Sequence, residues 1–251
     1  MKVTFLGTGT SMGVPEIGCS CGVCRSENPY DNRLRSSVLV EVGGASLLID
    51  AGPDIRQQIL NEKVSRIDAL LLTHEHYDHI GGIDDLRLFT RQKPLPVFAL
   101  KRVLNTLRDT IPYVFSEEKY PGIPNLTLYE VDDAPFTANG IEVVPIEAHH
   151  YKMTVLGFRI GRFAYLTDVK QLPEKELDKL RDLDVLVLNA LRKTPHISHQ
   201  SLDDALRNIH KIAPREAYLT HFSHELGLHS EVEKELPEHV YLAYDGLTVT
   251  L

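Results

Sequence analysis

Tryptophan is absent from this chain, and only three cysteines and three methionines occur in 251 residues. No run of eighteen or more apolar residues exists, which excludes a membrane-spanning helix of ordinary length. The opening Met1-Lys2-Val3-Thr4-Phe5-Leu6-Gly7 reads like a strand and lacks an apolar signal region with a small-residue cleavage site. A cytoplasmic location is the expectation. Basic residues are in the minority, 27 against 35 acidic, giving a net charge of −8. A general nucleic-acid binder needs a basic surface to release counterions, so neither nucleic acid nor membrane is expected as a partner. An anionic substrate stays open, because bound metal ions would reverse the local field. Low-complexity tracts and repeats at solenoid periods are missing too. What remains, 43% hydrophobic residues, is ample for a core without disulfides.

Against that background, Thr73-His74-Glu75-His76-Tyr77-Asp78-His79 concentrates three histidines and an aspartate directly after the apolar run Ala69-Leu70-Leu71-Leu72. Such a run reads as a buried strand, which puts the polar cluster on the loop at its carboxyl end, where open α/β sheets place their sites. Neutral imidazoles and a carboxylate suit borderline metals such as zinc. His74 and His76, two apart on an extended segment, can share one ion, while Asp78 and His79 face a second beyond the bend.

All three cysteines fall in Cys19-Ser20-Cys21-Gly22-Val23-Cys24. A disulfide here would be short and strained and would leave one thiol over. Three thiolates on one structural zinc, with a fourth ligand from far along the chain, is the better reading. The glycine-rich Gly7-Thr8-Gly9-Thr10-Ser11-Met12-Gly13 lacks the Lys-Ser/Thr ending of a phosphate-binding loop.

Elsewhere the pattern alternates strands and helices. Strands are expected over 2–6, 37–42, 46–49, 69–72, 94–99, 126–131, 141–146, 155–160, 163–166, 185–188, 217–219, 240–243 and 247–251. Helices are expected over 55–61, 84–91, 102–109, 174–180 and 202–212. Gly43-Gly44 reads as a two-residue hairpin turn. The proline-rich segment 111–125 is expected to be irregular, a lid or subunit contact. Polar residues close several strands: Asp50, His149-His150, Asp168 and His221.

His74-x-His76-x-Asp78-His79 resembles the signature of the metallo-β-lactamase superfamily of binuclear metallohydrolases. The resemblance implies an α/β fold, a four-layer αββα sandwich, with residues 1–251 as one hydrolase domain carrying a zinc-binding loop near 18–25. It assigns His74, His76 and His150 to one metal, Asp78, His79 and His221 to the other, and Asp168 as the bridge. Asp50 would support the metal loop from behind. His149 competes with His150, which is preferred because His150-x-Lys152 running into Leu156-Gly157-Phe158 resembles a subgroup pattern. That subgroup is the phosphoribosyl 1,2-cyclic phosphate phosphodiesterases of the carbon–phosphorus lyase pathway. Its fourth structural-zinc ligand is a histidine three residues beyond the last active-site histidine, which is His224 here. His199, with His196 as rival, matches a histidine that reaches over the metals to the phosphate.

The implied cofactors are two divalent metals (zinc or manganese) and one structural zinc. The implied reaction is hydrolysis of a small cyclic phosphodiester by a hydroxide shared between the two ions, with His199, Asp168 and Asp78 as the catalytic groups. The subgroup also suggests a homodimer. Two alternatives are a tRNA 3′-end endonuclease and a metal-binding module without catalysis.

Overall fold

The computed structural model describes residues 1–118 and 120–251. Two seven-stranded mixed sheets pack face to face. The first runs β14-β1-β2-β3-β4-β5-β6 and the second β13-β12-β11-β10-β9-β8-β7. In the first, β1 is Lys2–Gly7, β2 Ser37–Val42, β3 Ala45–Ile49, β4 Ala69–Leu71, β5 Leu95–Ala99, β6 Leu126–Glu130 and β14 Thr248–Thr250. In the second, β7 is Phe136–Ala138, β8 Ile141–His150, β9 Met153–Ile160, β10 Phe163–Leu166, β11 Val185–Asn189, β12 Glu216–Thr220 and β13 Val240–Leu242. Helix α1 covers Ile55–Asn61, α2 Tyr77–Ile80, α3 Lys101–Thr110 and α4 Leu202–Ile212.

Strand periodicity explains the layering. Phe5, Leu47, Ile49 and Leu71 of the first sheet meet Leu156, Phe158, Tyr165 and Val187 of the second in one shared core. The alternate residues face outward, Leu48 and Leu70 toward α1 and α3, and Leu186 and Leu188 toward α4. Four layers result. Helix α4 shows how one outer layer is fixed. Ser201 and Asp204 form a reciprocal capping box, and Leu202, Ala205, Ile209 and Ile212 present one buried stripe.

Strand pairing turns parallel where the site lies: β3 through β6 in one sheet and β10 through β13 in the other. Carboxyl ends of β4, β10 and β12 therefore gather at one edge, joined by the end of β8. Two backbone links lock the sheets there, Leu156 N–H to Thr73 O at 3.0 Å and Phe222 N–H to Thr8 O at 3.0 Å.

Several expectations shift. The helices expected over 84–91 and 174–180 are 3-10 turns, Ile83–Thr90 and Glu174–Leu180, a form common in short connectors. Asp78 and His79, expected on the loop after the strand, lie inside α2, whose four residues are too few to show a period. The strand β7 was not anticipated, although Asn139-Gly140 after it, both at positive φ (48° and 82°), is the dipeptide that closes tight hairpins. Gly43 and Gly44 make the expected turn, with φ of 56° and 77°. Segment 95–110 forms β5 and α3 within the sandwich. The 111–125 expectation falls partly on residue 119, outside the described residues.

Candidate metal centre

Three strands deliver their site residue at a left-handed backbone position: Asp50 after β3 (φ 63°), Asp168 after β10 (φ 58°) and His221 after β12 (φ 60°). Such conformations cost energy in residues with a Cβ and concentrate at functional sites. Here they turn the chain at the sheet edge so that each side chain enters the gap between the sheets.

Asp168 lies at the middle of that gap and is almost wholly buried. Its Oδ2 is 3.2 Å from His79 Nε2 and 3.2 Å from His221 Nδ1. Its Oδ1 instead faces His74 Nε2 at 4.0 Å and His199 Nδ1 at 3.6 Å. One carboxylate thus offers an oxygen to each of two groups of ligands. His74 and His76 join Asp168 in one group, Asp78, His79 and His221 form the second, and His150, Asp168 and His199 make a third that overlaps the first. His150 completes the first side, its ring 5.1 Å from His76 and 5.7 Å from His74.

Four of the imidazoles are oriented by what their other nitrogen does. His79 Nδ1 donates to Asp50 Oδ2 at 2.7 Å. His74 Nδ1 meets Thr73 Oγ1 at 3.0 Å, and that hydroxyl donates to Asp50 Oδ2 at 2.8 Å. His150 Nδ1 donates to the Ser198 carbonyl at 2.8 Å, and His221 Nε2 meets Thr10 Oγ1 at 3.1 Å. These partners fix the rings so that the remaining nitrogens point into the gap.

The donor set fits a pair of metal ions. His74 Nε2 is buried with no hydrogen-bond partner among the described residues, and His79 Nε2 meets only the Asp168 and Asp78 carboxylates, at 3.2 and 3.1 Å and outside hydrogen-bond geometry. An orphaned buried nitrogen costs about 1–3 kcal/mol, and an ion there supplies the missing partner.

Electrostatics agree. Burial works against a charged His79, yet Asp168, Asp50 and Asp78 outweigh it and raise its pKa well above the usual histidine range. Burial likewise opposes charge on Asp168, but His221 and His79 hold its carboxyl well below the usual range. Burial, with His79 alongside, keeps His74 neutral. The cluster is short of positive charge wherever carboxylates converge.

His199 is buried above this gap, ring-to-ring 4.5 Å from His150 and 5.0 Å from His221, and its Nδ1 has no hydrogen-bond partner among the described residues. Burial pulls its pKa down to about 3. His196, the rival, lies 5.2 Å from His199 and outside the metal-ligand groups. His149, rival to His150, is also outside them.

The three cysteines meet His224 at a second location. Sγ of Cys19, Cys21 and Cys24 lie 3.2, 3.4 and 3.4 Å from His224 Nδ1. A tetrahedral zinc with ordinary Zn–S and Zn–N bonds separates such atoms by about 3.5 Å. Glu16, which sequence reasoning overlooked, sits 3.3 Å from His224 Nε2 and turns Nδ1 toward the sulfurs. The Cys24 backbone N–H, donating to Cys21 Sγ, leads the groups that lower the Cys21 thiol to about 6.

Residues 46–222 match the description of a beta-lactamase superfamily domain, more than half of the chain. The chain belongs to the metallo-β-lactamase superfamily. Within that superfamily, a solved structure described as a new diphosphatase from the PhnP family superposes with a TM-score of 0.93 at 38% identity, covering 100% of this chain and 97% of that one. Zinc-bound PqqB from Methylobacterium extorquens shares the fold, with a TM-score of 0.79 at 21% identity over the whole of both chains. A Porphyromonas gingivalis protein named octanoyltransferase is 44% identical over 98% of this chain but only 51% of its own length. The chain therefore spans about half the length of that relative. No helix among the described residues is long and apolar enough to cross a membrane.

Proposed function

We propose that the chain is a metal-dependent phosphodiesterase acting on a small phosphodiester, with a cyclic ribose phosphate as the leading candidate. The observation that carries this reading is the split of the Asp168 carboxylate between two sets of histidines, 3.2 Å to His79 and 4.0 Å to His74. That is the arrangement a two-ion hydrolytic site needs. Likeness along the whole chain to a PhnP-family diphosphatase supports phosphorus–oxygen bond cleavage over other ester classes.

His74, His76 and His150 would hold one ion, Asp78, His79 and His221 the other, and Asp168 both. Bound there, such ions would supply Lewis-acid activation of water and neutralise charge on the phosphoryl oxygens. Everything else falls to the chain. Asp50 accepts a hydrogen bond from His79 Nδ1–H and one from the Thr73 hydroxyl, which in turn meets His74 Nδ1, so that both Nε2 atoms stay free for coordination. Ser198 O and Thr10 Oγ1 fix the rings of His150 and His221.

His199 enters from above, its Nδ1 without a hydrogen-bond partner among the described residues. Held neutral by burial, it serves as a hydrogen-bonding group, and an anionic ester beside it favours its protonated form. It can then stabilise charge on the phosphoryl group and pass a proton to the departing ester oxygen. The cysteine cluster with His224 would hold a structural zinc that pins the loop after His221. A tRNA endonuclease reading has less support, because a grip on tRNA calls for a basic surface and the chain carries 27 basic against 35 acidic residues.

The test is side-by-side turnover of metal-quantified protein on ribose 1,2-cyclic phosphate, 2′,3′-cyclic nucleotides and an aryl phosphodiester. Preference for the cyclic ribose phosphate is the expected result. Absence of turnover on all three would sink the phosphodiesterase assignment.

A further inference from the structure

Glu75 stands between His74 and His76, and nothing in the metal chemistry calls for it. Its carboxylate is gripped from outside the loop by Arg102, on the first turn of α3. Arg102 Nε donates to Glu75 Oε1 at 2.5 Å and Nη2 to Oε2 at 3.0 Å, a two-point grip that only a planar guanidinium makes. The same Nη2 also donates to the Thr154 carbonyl at 2.7 Å.

Thr154 belongs to the other sheet. It pairs with His149 in the β8–β9 ladder, and its neighbour Met153 pairs with His150. Two residues further on, Leu156 N–H bonds to Thr73 O, directly before His74. One guanidinium therefore ties the loop carrying His74 and His76 to the hairpin carrying His150, across the seam between the sheets.

The second group of ligands is held by other means. His79 rests on Asp50, and His221 is set by Thr10 with Ser36 and Thr167 around its other nitrogen. Arg102 donates to none of these.

We propose that Arg102 is a positioning residue that, through Glu75 and Thr154, sets the spacing of His74, His76 and His150 and so the affinity of the ion they share, independently of its neighbour. The inference rests on the two-ion reading above. Because the Arg102–Glu75 pair is partly exposed, with side chains 42% and 17% accessible, its share of global stability is small. Its leverage on a metal is larger, since loss of a partner that orients a ligand typically costs about 10–100-fold in affinity.

The experiment titrates the metal-stripped 251-residue chain with cobalt(II) against a competing chelator. The thiolate charge-transfer band reports the cysteine site separately. Wild type, Arg102→Ala, Arg102→Lys and Glu75→Gln are compared, and each metal-free variant is also melted. Arg102→Ala is expected to lower one of the two active-site affinities by about 10–100-fold. The other affinity and the metal-free melting temperature should stay at their wild-type values. Glu75→Gln should weaken the same ion, and Arg102→Lys, with no second donor arm, should restore it only in part. Unchanged affinities in Arg102→Ala would overturn the proposal. So would a parallel fall of both together with the metal-free melting temperature, which marks a merely structural role. Wild-type protein binding no active-site pair would fail the two-ion reading itself, an outcome visible before any variant is compared.

Discussion

Asp50 Oδ2 accepts the Nδ1 proton of His79 at 2.7 Å, and both side chains are fully buried. Burial alone would raise the Asp50 pKa, with His79 pulling the other way. A buried carboxylate that also receives the Thr73 N–H at 2.9 Å and the Thr73 hydroxyl at 2.8 Å is an acceptor for three donors. Its role is to fix tautomers.

Asp50→Asn tests that role. An amide can place its carbonyl toward one or two of the donors, but its NH2 then opposes another. Metal affinity at the group containing His79 should drop by about 10–100-fold, read by competition with a chelator. Affinity equal to wild type would show that Asp50 does not set the ring.

For His199 the expectation is the reverse pattern. His199→Ala should lower kcat by about 10²–10⁴-fold on the preferred phosphodiester while metal content stays constant. Metal analysis beside steady-state kinetics decides between this and a ligand role, which would lose an ion.

Asp245 gives a pH-dependent prediction away from the metals. Its carboxyl is shut in although the residue as a whole is only partly covered. Burial raises its pKa to about 6, against the opposing bonds from Leu34 N–H and Thr8 Oγ1. Because the folded pKa lies above the unfolded value of 3.8, the native state holds this proton more tightly. The resulting stability is present below about pH 4 and is lost as pH rises through about 6, roughly 2–3 kcal/mol in all. Asp245→Asn removes it. The stability difference between metal-free wild type and variant, measured by urea unfolding, should therefore shift by roughly that amount between pH 4 and 6.5. A pH-independent difference would contradict the buried-proton account.

Strand periodicity made most of the elements legible in the sequence, while their four-layer arrangement was implied by the family resemblance. The apolar runs 37–42, 163–166 and 185–188 sit within a residue of their strands, and α1 and α4 begin and end where the pattern says. Site candidates were legible because polar residues ending apolar runs are conspicuous, and the sheet edge brings His74, Asp168 and His221 together although nearly 150 positions separate the first from the last. What escaped had no local signature. Arg102, Glu16, Thr10 and Ser198 act through partners distant in sequence, and Ser198 acts through a backbone carbonyl that any residue could supply. The four residues of α2 are too few to show a helical period.

Asp168 would join a pair of ions separate from a third on the cysteines, and native mass spectrometry of zinc-loaded protein tests this most directly. Wild type should carry three ions per chain, Cys24→Ser two, and a folded Asp168→Ala chain only the cysteine-bound one. Three ions retained in Asp168→Ala, or a wild-type chain that never exceeds one, would contradict it.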